Sequence, residues 1–145
     1  MNDTEKELLR NFFGLTANLI EAGIVRSDKV LGDIAEWLCV KNFDLVLCQS
    51  GRHPGFDGHI GSKKVQVKMH NSPEGNNLSV GNPSAYDELI VVIGPRSKLR
   101  INDAENCFLA YRFSSEEVTS LMKRSSGFYC AKTVLSKRQP ISIKY

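Results

Sequence analysis

The chain has no apolar run long enough to cross a bilayer, and its opening MNDTEKELLR is too charged for a signal peptide. A membrane protein is therefore not expected, and a cytoplasmic location is. The four cysteines, Cys39, Cys48, Cys107 and Cys130, show no CxxC spacing. They sit in apolar stretches, which reads as buried free thiols rather than disulfides or a zinc site. There is no internal repeat, low-complexity tract or linker, so the 145 residues read as one domain (1–145). No run of adjacent Lys or Arg exceeds two, which excludes a basic tail.

What is present is ordinary in bulk and uneven in charge. Hydrophobic content of 41% and charged content of 24% fit a globular protein. Residues 1–62 carry six Lys/Arg against nine Asp/Glu, a net −3, and residues 63–145 carry thirteen against seven, a net +6. A basic second half suits a polyanionic partner such as nucleic acid.

Helical spacing of Leu8, Phe12, Leu15, Leu19 and Ala22 predicts a helix over about 4–22 that packs on the core. Thr4 with Glu7 forms a capping box at its start, and Gly23 stops it. A second helix is expected from about Asp28 to Lys41. Strands are expected at 44–48, around 56–60, at 63–69, at 88–93 and at 107–113. Asn, Gly, Pro and Ser make 71–84 a loop. Ser114 and Glu117 open a short helix to about Lys123, and a last strand is expected at 141–143. The class is α/β (α+β), a central mixed sheet flanked by helices.

The stretch GFDGHIGSKKVQVKMH, Gly55 to His70, carries the chemistry. Gly61-Ser62 reads as a two-residue hairpin turn, with Gly at the first central position. Ile60 then pairs with Lys63, His59 with Lys64, Gly58 with Val65, Asp57 with Gln66, and Gly55 with Lys68. One face becomes Gly55, Asp57, His59, Lys64, Gln66, Lys68 and His70. The other becomes Phe56, Gly58, Ile60, Lys63, Val65, Val67 and Met69. The segregation of polar from apolar residues supports this register.

Asp57, Gln66 and Lys68 are a carboxylate, an amide oxygen and an ammonium on one face. Hard cations take oxygen ligands, and an adjacent Lys can orient a water or offset charge on a phosphate. In GDIAEWLCV, residues 32–40, Glu36 interrupts a helix that is apolar on nearly all sides, and such a helix is expected to be buried. A buried Glu needs a partner. A metal is one solution, and a Lys or Arg, such as Lys68, is another. Gly32, four residues earlier, lets that face approach the sheet. Taken singly, Asp57 also reads as a turn residue, and Gln66 with Lys68 as a wet strand face.

Together, a helix with Glu36, then a hairpin holding Asp57 and Gln66-Val67-Lys68, resembles the PD-(D/E)XK nuclease superfamily. The strand VQVK resembles small domains of that superfamily with a Q-(I/V)-K variant. The resemblance implies a restriction endonuclease-like α-β-β-β-α-β core over about 28–93 with a C-terminal extension. It implies divalent-metal-dependent cleavage of DNA, with RNA as the other substrate, in restriction, defence or repair. Asp57, Gln66 and Glu36 would hold Mg²⁺ or Mn²⁺, with Lys68 beside the attacking water. Phe56 stands where the motif has Pro. Gln66 replaces an acid, which leaves two carboxylates and favours one ion over two. Residues 71–84 lack the second helix, which is either lost or displaced to 115–123.

His59, Lys64, His70, Arg96, Lys98 and Arg100 are candidate phosphate contacts. The histidines, with His53, match no metal spacing. The alternatives to a nuclease are an inactive nuclease-fold module that binds nucleic acid, and a protein-interaction subunit of a larger complex. Cutting both strands of a duplex usually needs two sites, which suggests a homodimer.

Overall fold

The strand Glu88–Ile93 organises the fold. Numbered in chain order it is β5, and all six of its residues are buried. Such a strand must be covered on both faces. It lies in a six-stranded sheet of order β1 (Val46–Leu47), β2 (Gly58–Ile60), β3 (Lys63–His70), β5, β6 (Cys107–Ser114) and β9 (Ile141–Lys144). β3 and β5 run parallel, and the other pairs are antiparallel. The computed structural model describes residues 2–27, 29–50 and 55–145. Asp28, expected to start the second helix, and His53 lie outside the described residues.

The two faces of the sheet bury different residues. On one, helix α2 (Val30–Phe43) sets Ala35, Leu38, Cys39 and Phe43 against Val65, Val67, Ile90 and Val92. On the other, Leu89, Val91, Ile93, Tyr111 and Phe113 pack against Val80, Val118, Met122, Cys130 and Leu135. That second layer consists of a small sheet of β4 (Asn77–Ser79), β8 (Gly127–Ala131) and β7 (Lys123–Arg124), with helices α3 (Ser115–Leu121) and α4 (Lys132–Leu135). The fold is the expected α+β arrangement of a mixed sheet between helices.

The parallel β3–β5 pair requires a crossover. Residues 71–87 make it with β4 and a 3-10 turn at Pro83–Ala85, without an α-helix. β4 was expected to be loop. Its Asn-Leu-Ser has no periodicity, and it is a strand only because β8 pairs with it. The capping box at α3 forms as expected, with Ser114 Oγ accepting from Glu117 N–H and the Glu117 carboxylate accepting from Ser114 N–H.

α1 (Asp3–Glu21) differs from expectation at its start. Thr4 lies inside the helix and does not cap it. Gly23, at φ +69°, does stop it: Ile24 N–H returns to Leu19 O and Gly23 N–H to Ile20 O, both at 2.9 Å, a left-handed glycine cap. Leu8, Phe12 and Leu15 are 64%, 55% and 60% exposed. α2 is likewise not buried all round, since Leu31 and Val40 are exposed. All four cysteines are free, and burial pushes the Cys39 and Cys130 thiols up to about 12. No helix among the described residues is long and apolar enough to cross a membrane.

Candidate functional site

The hairpin register holds from the turn as far as Gly58. Ile60 faces Lys63, His59 faces Lys64, Gly58 faces Val65, and Gly61 takes φ +59° in the turn. Gly58 admits no side chain, because a Cβ there would stand 2.4 Å from Val46 O of the paired β1 strand. Beyond it the regular pairing stops. Asp57 N–H donates to Val65 O at 2.8 Å, so Asp57 and Gly58 both address Val65. Two residues against one is the pattern of a β-bulge, which re-aims the side chains before it.

The bulge corrects the expected faces. Phe56 was placed with Val65 and Val67. It packs instead with Leu89 and Val91, against His59 at 5.1 Å between rings and under Lys64 Nζ at 5.5 Å. The added residue also turns Asp57 toward β3. Its Oδ2 accepts from Val67 N–H at 2.7 Å and from Gln66 Nε2 at 2.5 Å. The Asp57–Gln66 juxtaposition survives, and the Gly55–Lys68 pairing does not form.

Where β2 parts from β3 and α2 crosses above, a cleft of about 760 Å³ opens. Glu36, Asp57, Gln66 and Lys68 all line it. The Glu36 carboxylate pairs with the Arg26 guanidinium, so its partner is Arg26 rather than Lys68. Burial raises the Glu36 carboxyl above the ordinary carboxylate range, the nearby Asp57 charge raises it further, and Arg26 opposes both. Burial also raises Asp57, against the lowering pull of Val67 N–H, Lys68 and Arg26. Two carboxylates thus feel one another across the cleft. Among the described residues, no contact ion pair joins Lys68 to a carboxylate. Gly32 borders the cleft with open space at its Cβ position, so it does not bring α2 closer to the sheet.

Two cleft residues lie outside the motif reading. Arg26 sits in the 22–29 connection, with its guanidinium on Glu36 and reaching Cys48 O at 3.5 Å. Asp33 holds that connection in place. Its Oδ2 accepts from Arg26 N–H and Ser27 N–H, both at 2.7 Å, and from Ser27 Oγ at 3.0 Å. Asp33 was detectable, since it stands three residues before Glu36 on one face of an apolar helix. Arg26 has no periodic partner and carried no such signal.

The other six candidates stand away from the cleft. Lys64 and His59 share the Phe56 side. His70 is buried, with Nδ1 2.7 Å from Ser97 Oγ. Arg100 turns inward to Ala104 O and Cys107 Sγ. Arg96 and Lys98 are exposed on the loop after β5, whose backbone is tied to Asn71 Oδ1 and Ser72 O.

The described residues hold no cluster of three His, Cys, Asp or Glu side chains suited to a metal. The cleft is lined by three carboxylates, Asp33, Glu36 and Asp57, and the Gln66 amide, with Asp33 already holding Arg26 N–H and Ser27. No protein-family model and no curated protein matches the chain.

Proposed function

We propose that the cleft binds a phosphodiester with one divalent cation, Mg²⁺ or Mn²⁺, and hydrolyses DNA, as a PD-(D/E)XK-like nuclease. The observation that supports this reading is the convergence of Glu36, Asp57, Gln66 and Lys68, from three separate elements, on one open cleft. The residues fit a cation: the Asp57 charge raises the proton affinity of Glu36, and a cation relieves that repulsion. Asp57, Glu36 and Gln66 would hold it. A half-turn of the Gln66 amide exchanges Nε2 for Oε1 toward Asp57. When bound, the cation polarises the phosphate and lowers the pKa of water.

The chain's own groups do the rest. Val67 N–H keeps Asp57 Oδ2 in position. Lys68, in the cleft and in no contact ion pair among the described residues, orients the attacking water and offsets charge on the phosphate oxygens. Arg26, now paired with Glu36, would be free to hold a phosphate oxygen where Glu36 holds a cation. Exposed Lys29 extends the positive lining toward the flanking backbone.

The test is cleavage by the purified chain of linear, supercoiled, branched and single-stranded DNA in either metal. Nicking that disappears in Asp57→Asn is expected. Intact substrates of all four kinds would sink the reading.

A second reading draws on a specific observation. Both carboxylates already have partners, Gln66 Nε2 on Asp57 and Arg26 on Glu36. A self-satisfied site suits a module that binds nucleic acid without cutting it. That reading predicts salt-sensitive binding with no metal requirement.

A further inference from the structure

The pair between Arg26 and Glu36 is held differently from the other arginine–glutamate pairs of the fold. Arg112, paired with Glu88, also lies 5.4 Å over the Phe43 ring. Arg138, paired with Glu117, lies 4.3 Å over the Phe113 ring and donates to Arg112 O. A ring beneath a guanidinium gives it a second attachment. Among the described residues Arg26 stacks on no ring, and its side chain is 39% exposed. Beyond Glu36, its guanidinium reaches Cys48 O, at a long 3.5 Å.

The backbone beneath Arg26 is fixed separately. Asp33 Oδ2 accepts from Arg26 N–H, Ser27 N–H and Ser27 Oγ. None of these bonds uses the guanidinium, so the side chain can change partner while its backbone stays in place. Arg26 is therefore a long cation on a rigid stem, attached to the cleft through one carboxylate.

Charge balance says what would move it. Among the described residues the cleft is lined by three cations, Arg26, Lys29 and Lys68, and three carboxylates, Asp33, Glu36 and Asp57. Their formal charges cancel. A divalent cation entering alone finds Glu36 already neutralised by Arg26. A phosphodiester entering alone finds Arg26 engaged and sets its own negative charge beside Glu36 and Asp57. With both present, Glu36 can turn to the cation and Arg26 to the phosphate, whose oxygens match the planar guanidinium fork. Burial and the Asp57 charge raise the Glu36 carboxyl, so its ionised form needs a positive partner in either arrangement.

Resting on the nuclease reading of the cleft, we infer that Glu36 exchanges Arg26 for the cation, so that cation and phosphodiester bind cooperatively and each binds weakly alone.

Two titrations of the full chain test this: calorimetry with Mn²⁺, and fluorescence anisotropy of a phosphorothioate DNA duplex, which resists cleavage. Each is run with and without the other ligand. In wild type, Mn²⁺ is expected to tighten duplex binding about tenfold or more, and the duplex to tighten Mn²⁺ binding by the same factor. Arg26→Gln keeps the N–H that Asp33 holds. It is expected to bind Mn²⁺ alone more tightly than wild type and to lose most of the coupling. Glu36→Gln releases Arg26 without metal, and is expected to bind the duplex more tightly than wild type in the presence of a chelator. Adding Arg26→Gln to Glu36→Gln restores the charge balance and is expected to cancel that gain. Equal coupling in wild type and Arg26→Gln overturns the exchange and leaves the nuclease reading standing. So does a Glu36→Gln protein that binds the duplex no better than wild type without metal. A wild type that binds neither Mn²⁺ nor the duplex overturns both.

Discussion

Asp57 Oδ2 lies 2.7 Å from the amide nitrogen of Val67, so a backbone donor of one strand fixes a carboxylate of the next. The contact exists because the bulge at Asp57 shifts the side chain away from its regular cross-strand position. It anchors a carboxylate whose ionised form burial disfavours.

Asp57→Asn keeps an acceptor for Val67 N–H and removes the charge. Because burial raises the folded-state pKa of Asp57 above its unfolded value, the ionised form is penalised in the folded state. That penalty is absent below the unfolded value of about 4 and complete above the folded value. Asp57→Asn is therefore expected to be more stable than wild type at neutral pH and no more stable in acid. Asp57→Ala instead orphans Val67 N–H and leaves the Gln66 amide with Val67 O as its partner, at a cost of about 1–3 kcal/mol. Urea titrations at the two pH values check both.

Gln66→Glu exchanges a donor for a third carboxylate beside Asp57. Without metal the like charges should lower the melting temperature. With Mg²⁺ or Mn²⁺ the variant should recover, so its metal-induced thermal shift should exceed that of wild type. Equal shifts in the two proteins would count against a cation between positions 57 and 66.

Lys68→Ala separates binding from chemistry. If Lys68 acts on water and phosphate, metal affinity by calorimetry should stay close to wild type. Cleavage should fall roughly 10²–10³-fold, with partial recovery in Lys68→Arg. Loss of metal binding in Lys68→Ala would instead give the ammonium a structural task.

The parts of this fold legible in the sequence were those written in local pattern. β5 is a continuous apolar run and the Ser114–Glu117 box a local signature, and both formed where expected. The hairpin register followed from Gly61 and the polar alternation of β3. The bulge was not legible, because Gly55, Phe56, Asp57 and Gly58 fit regular alternation on paper. The decisive fact, Val46 O pressing on Gly58, comes from a residue twelve positions away. β4, β7 and β8 have five residues or fewer, too short for any period, and are strands only through one another. In the cleft, Glu36, Gln66 and Lys68 were legible on periodic elements, whereas Asp33, on the same helix as Glu36, was passed over and Arg26, on an aperiodic connection, carried no signal.

His70 supplies the last expectation, one of acid sensitivity. A Cβ at Gly75 would stand 2.8 Å from His70 Nε2, so the 71–76 loop closes directly over the ring. On the other side Nδ1 lies 2.7 Å from Ser97 Oγ, and that oxygen already accepts Leu99 N–H at 3.1 Å. The serine proton can serve Nδ1 when the imidazole is neutral, and the remaining Oγ lone pair can accept from the ring when it is protonated. Burial under the loop is what lowers the His70 pKa. The unfolded chain then takes up a proton near pH 6.5 while the folded chain does not, so stability falls as pH drops below that value. The slope is at most about 1.4 kcal/mol per pH unit. His70→Gln should flatten it, and Ser97→Ala should cost about 1 kcal/mol at neutral pH. Asp57 and Glu36, with raised pKa values, act with the opposite sign, so the difference between wild type and His70→Gln isolates the histidine. Parallel pH profiles for the two proteins would show that His70 titrates as freely in the fold as outside it.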